Sequence, residues 1–150
     1  MSNLDLLIKS IDLLEEDAKP KWGKMSCPQM LKHCNRFIQV YTNEVKFKAP
    51  ISLLSPIFGR LHIFWLRYII RYNVNKYFRN LPTLRYFNTY RITNIDFTKE
   101  KEELVDRIKF VIDYKKDYIK NTFHGKIKSK TFKDVVDFHT RYHLTQFGVI

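Results

Sequence analysis

Apolar side chains recur at Leu4, Leu7, Ile11 and Leu14, the spacing of one helix face over about Leu4 to Glu16. "AKPKWGKM" then ends that pattern with Pro20 and Gly23. A second helix is predicted from Ser26. Ser26 can cap, Pro28 suits the first turn, and Gln29 completes a Ser-x-x-Gln capping box. Its apolar stripe is Met30, Cys34, Phe37, Tyr41 and Val45, with His33 at the edge. A third helix is predicted over "TKEKEELVDRIKFVIDYKKDYIK", with Leu104, Val105, Ile108, Val111, Ile112 and Ile119 along one face. Asp96 or Thr98 is its expected cap, and acids fill the first turn, where the helix dipole favours them. A fourth runs from about Lys130 to Phe147, with Ser129 as expected cap and Gly148 just past its end. Its stripe is Phe132, Val135, Val136, His139, His143 and Phe147.

Between the second and third helices lies a connection of roughly fifty residues, far longer than a turn between antiparallel neighbours. It holds the apolar run "LLSPIFGRLHIFWLRYIIRY" and then "NLPTLRYF". The run predicts a fifth, shorter helix. Arg60, His62 and Arg67 interrupt it, so no uncharged span of the required ~18 residues exists and no transmembrane segment is expected. A lid over the end of a bundle is the expectation, with an interfacial amphipathic helix as the alternative. A long crossover also implies that the second and third helices run in the same direction. The fold class that follows is all-α: one domain over residues 1–150, a four-helix bundle whose long crossover between helices 2 and 3 contains an extra short helix.

Composition agrees with a single domain. At 150 residues the chain can bury a sizeable core, and 45% hydrophobic residues argue against disorder. Only 4 Gly and 5 Pro are present, too few for long flexible linkers. The opening "MSNLDLLIKSIDLLEED" carries Asp5 and Asp12 within its apolar stretch and has no small-residue cleavage site, unlike a secretory signal. Cys27 and Cys34 form no disulfide framework, so a reducing cytoplasm is expected. The net charge of +12 has two readings. One is solvated lysines; the other is a basic face for nucleic acid, anionic lipid or an anionic ligand. No helix-turn-helix or RNA-binding signature is visible, so no specific nucleic acid is expected.

The histidine pair changes the picture most. His139 and His143 stand four apart, on one helix face, where a core helix normally carries Leu or Val. Two imidazoles so placed can converge on one ion. The pattern alone is weak, but buried ring nitrogens need partners, and a metal supplies one. His33 is the best third ligand, from the inner edge of the second helix; His62 in the crossover and His124 before Gly125 read as surface groups. The alternative is that these are core histidines bonded to Tyr, Gln or backbone. Cys34 falls on the apolar stripe and reads as core, and Cys27 as inert. Gln29, one turn before His33, and Gln146, just after His143, can orient a ligand or substrate, or else cap a helix and face solvent. Asp134 and Asp137 fall off the histidine face, so there is no obvious carboxylate base. No Ser–His–Asp order, P-loop or GxGxxG appears.

Three motifs occur together in order: "WGKMSCPQMLKHC" (Trp22 to Cys34), "NLPT" (Asn80 to Thr83) and "HTRYHLTQFGV" (His139 to Val149). With these the chain resembles the uncharacterised, domain-of-unknown-function branch of the DinB-like, or YfiT-like, superfamily, over nearly its whole length. The resemblance implies a four-helix bundle with a crossover between helices two and three. It implies a divalent metal, zinc or nickel, on His33, His139 and His143. Relatives include metal-dependent transferases for low-molecular-weight thiols and thiol-dependent isomerases. A thiol S-transferase acting on an electrophilic small molecule is therefore one expectation, with Arg60 and Arg67 as candidates to recognise an anionic thiol, and a homodimer is allowed. The rival expectation is a non-catalytic basic helical module for nucleic acid or an anionic membrane surface, with the metal structural or absent. Two departures from the pattern stand out: "NTFHG" places Asn121 and Thr122 where relatives carry His-Pro, and Tyr142 precedes His143 where relatives carry a second histidine.

Overall fold

The computed structural model describes residues 3–48 and 51–150, without the side chains of 3, 51, 52 and 55. Among them are five α-helices: α1 (Asn3–Asp12), α2 (Cys27–Tyr41), α3 (Ile51–Phe64), α4 (Phe97–Asp113) and α5 (Ser129–Gln146). Two short strands, β1 (Tyr118–Asn121) and β2 (Gly125–Lys128), pair antiparallel between α4 and α5. The chain is mostly helical, as its apolar periodicity requires, but it is not all-α. The hairpin replaces the last part of the expected third helix.

The local signals explain where the elements begin. Ser26 caps α2: its backbone N–H donates to Gln29 Oε1 at 2.9 Å, and the Gln29 N–H points at the Ser26 hydroxyl. Asp96 caps α4 by accepting from the Lys99 N–H at 2.9 Å. Ser129 does not cap α5. Its hydroxyl donates to the Lys116 carbonyl and its N–H to the Asp117 carbonyl, clipping the base of the hairpin to the start of the helix.

Tyr114 turns to extended backbone and ends α4. Beyond it Tyr118, Ile119, Lys120 and Asn121 alternate outward and inward, the period of a strand. Asn121 Oδ1 accepts from the N–H groups of Phe123 and His124, and Gly125 follows at φ +70°, which closes the turn. Ile119 is buried, but opposite Ile127 on the hairpin and not on a helix face.

α2 packs most extensively on α4. The contacts climb together: Lys32 and Asn35 reach Glu100, Gln39 reaches Glu103, and Glu44 reaches Arg107. The two helices therefore run in the same direction, as a long crossover demands. α1 lies against α4 and α5, and α2 also meets α5. The shared interior holds Leu7, Ile11, Met30, Leu31, Ile38, Leu104, Ile108 and Leu144, each almost fully buried. α3 continues into a π-helical turn, Trp65–Ile69, and packs on the hairpin. Gly59 makes that approach possible. A Cβ there would stand 2.2 Å from the Phe123 carbonyl oxygen and 2.7 Å from His124 Cδ2. No helix of the described residues is long and apolar enough to cross a membrane.

Candidate metal centre

α2 and α5 each present the residues that their stripes predict. His33, His139 and His143 come together so that one ring nitrogen of each lies within 4.8 Å of the others. His33 Nε2 and His139 Nε2 are 3.1 Å apart. Two imidazole nitrogens, each about 2.0–2.1 Å from a shared ion, lie roughly 2.8–3.4 Å apart at octahedral to tetrahedral angles. The His33–His139 pair therefore already stands at the spacing of two ligands on one ion, and the three residues together could hold a metal ion.

Two of the rings are fixed from behind. His33 Nδ1 donates to the Phe87 carbonyl at 2.7 Å, which leaves Nε2 with its lone pair free. His143 Nδ1 donates to Gln146 Oε1 at 2.8 Å, with the same result. Gln146 is itself oriented, because its amide nitrogen donates to the Trp22 carbonyl at 2.5 Å. Bonds of this kind set the tautomer and direction of a metal-binding histidine. His139 is held differently. Phe37 stacks on its ring at 3.8 Å and 5°, and its Nδ1 is buried with no partner among the protein groups.

All three rings favour the neutral form. Burial lowers the pKa of His33, opposed by the Phe87 carbonyl. Burial, then repulsion from His143 and His33, holds His139 well below the usual histidine value. Burial and repulsion from His33 bring His143 to about 3, opposed by its bond to Gln146. Unprotonated nitrogens are what a metal needs.

Among the described residues the cluster contains no cysteine and no carboxylate. Cys34 is buried against Met30, Sγ to Sδ 3.8 Å, with burial raising its pKa; Cys27 is buried as well, its thiol pushed up to about 11. Gln29 lies elsewhere than predicted for a histidine partner: besides the cap, its amide nitrogen donates to the carbonyls of Tyr90 and Ile92. Arg60 and Arg67 are exposed along α3 and the turn that follows it. Tyr142 stands beside His143 at 5.2 Å between ring centres, and its hydroxyl accepts from Trp22 Nε1 and donates to the Phe78 carbonyl.

Neither His62 nor His124 is a surface group. His124 is fully buried, Nδ1 at 2.5 Å from the Tyr41 hydroxyl. His62 is half-buried, 3.2 Å from the Tyr77 hydroxyl, with its ring 6.2 Å from that of His124. The Tyr41–His124 pair is hidden in the sequence because its two members are 83 residues apart and His124 reads as part of a loop, not as the turn of a hairpin that carries it inward. Comparison of the chain with protein-family models, with curated proteins and with solved structures found no match.

Proposed function

We propose that this chain is a metal-dependent protein of the DinB-like kind, with α1, α2, α4 and α5 as its four-helix bundle and α3 in the crossover. His33, His139 and His143 hold one divalent transition metal, zinc or nickel. The observation that carries this reading is the convergence of three neutral imidazoles from two helices, two of them oriented by Phe87 and Gln146. A metal bound there supplies Lewis acidity, which lowers the pKa of a thiol or water.

The reaction class we favour is transfer of a low-molecular-weight thiol to an electrophilic small molecule. The surroundings support it. The buried carboxylates are committed elsewhere, Glu100 to Lys32 and Asn35 and Asp137 to Arg141, so none serves the histidines as a base. A thiol ionises more readily than water and has less need of one. Phe37 and Phe87 stand against His139 and His33 as an apolar wall that limits water.

Elemental analysis of protein purified without an affinity tag tests the site. Close to one transition metal per chain is expected, and His139→Ala removes most of it. Full occupancy in a His33/His139/His143 triple alanine variant overturns the site. In cobalt-substituted protein a small thiol is expected to change the ligand-field spectrum. An unchanged spectrum with the metal in place overturns the thiol reading alone.

A further inference from the structure

The outer face of α3 is apolar and uncovered. Leu54, Ile57, Phe58, Leu61, Phe64 and Tyr68 follow one another at helical spacing, and each is 51–64% exposed. This is not a core face left loose. The opposite side of the same segment is anchored, with Gly59 against the hairpin turn and Leu66 and Ile70 buried. The fold therefore fixes which side faces out. A contiguous exposed face of this kind marks an interaction surface.

Charge says what the surface meets. From Val45 to Ile95 the chain has no Asp or Glu and nine Lys or Arg, which supply +9 of the net +12. All nine are exposed. Arg60 and Arg67, two turns apart, border the apolar face directly. We propose that α3 and the turn after it dock in the plane of an anionic membrane surface, with the apolar face entering the headgroup boundary and the flanking arginines and lysines on acidic lipid headgroups.

The two features act together. Burial of apolar side chains provides lipid affinity, and each basic residue near the surface adds attraction to negative headgroups. The segment is too short and too charged to span, so it lies in the interface. A second copy fits less well. A face-to-face contact brings Arg60 and Arg67 of both copies together with no acid anywhere in the stretch to offset them. Nucleic acid fits less well too, because its phosphates would confront a row of Leu, Ile and Phe.

Flotation with vesicles tests the proposal, comparing phosphatidylcholine alone with phosphatidylcholine containing about one-third phosphatidylglycerol. The wild-type chain is expected to float with the anionic vesicles and not with the neutral ones at moderate salt. Phe58→Asp with Leu61→Asp is expected to weaken binding at least about ten-fold, and Arg60→Glu with Arg67→Glu to remove the preference for anionic lipid. All four side chains are exposed, so unchanged helicity of each variant shows that the loss is not unfolding. No flotation of the wild type, or flotation that both double variants retain, overturns the proposal. So does a wild-type dimer in sedimentation that the Phe58/Leu61 variant converts to monomer, since a second copy then covers the face. Binding of duplex DNA in place of vesicles, indifferent to the Asp substitutions, overturns it as well.

Discussion

The α2–α5 interior and the α3 crossover make opposite bargains with water. In the first, polar rings are taken inside: His33 and His143 are buried and His139 half-buried, Phe37 and Phe87 stand against them, and two of the rings are bonded from behind. In the second, large apolar side chains stand in solvent with arginines at their border. Each is costly in isolation, the first through desolvation and the second through exposed apolar area. Two such departures in one chain, at different places, are what the two proposals rest on. A core built only for stability would carry Leu at His139, and a surface built only for solubility would carry Lys at Leu61.

The first way to break the contrast is to free the histidines. Gln146→Leu removes the acceptor that fixes His143, and metal affinity measured by chelator competition is expected to fall about 10- to 100-fold. An unchanged affinity would mean that the ring needs no such support.

Next is the anchor that turns the crossover outward. Gly59→Ala drives a Cβ into the Phe123 carbonyl and the His124 ring, and is expected to cost about 1–3 kcal/mol in urea unfolding. Gly59→Ala with wild-type stability would show that α3 is only loosely held.

A smaller effect comes from pH. Burial, then repulsion from His62, lowers His124 to about 3. Because the folded value is depressed, the unfolded chain takes up the proton first as pH falls through the ordinary histidine range. The stability present above about pH 6.5 is then lost towards pH 3, at about 1.4 kcal/mol per pH unit for this ring. Urea midpoints between pH 7 and 5 check this, and His124→Gln should flatten the slope. A wild-type midpoint constant over that range would contradict the burial of this ring.

The smallest expected change sharpens the comparison. Leu61→Asp should alter unfolding free energy by no more than about 0.5 kcal/mol, since the side chain touches mainly water. A loss of several kcal/mol would place Leu61 in a packed interior instead.

Some of this was legible in the residues. Ser26 and Gln29 announce the start of α2, Asp96 that of α4, and the stripe through His139 and His143 places both rings inward, because these signals act within one or two turns of chain. The parallel run of α2 and α4 was readable from the length of the connection alone. Gln29 was legible as a cap, yet its second bond reaches Tyr90 and Ile92, about sixty residues away, where no local signal points.

Sequence by itself determined the local matters here: helix periodicity, capping chemistry, the HxxxH spacing and the acid-free run from Val45 to Ile95. Only the tertiary structure decided the rest. "YKKDYIK" has helix-compatible residues, but pairing with Gly125–Lys128 buries Ile119 and satisfies the backbone as a hairpin. His124 looks like a loop residue until that hairpin carries it under α3 and onto Tyr41. Which face of α3 meets the protein is likewise set by a close contact at Gly59. The alternating charge and apolar pattern of the helix leaves both faces greasy, so burial there depends on partners distant in sequence.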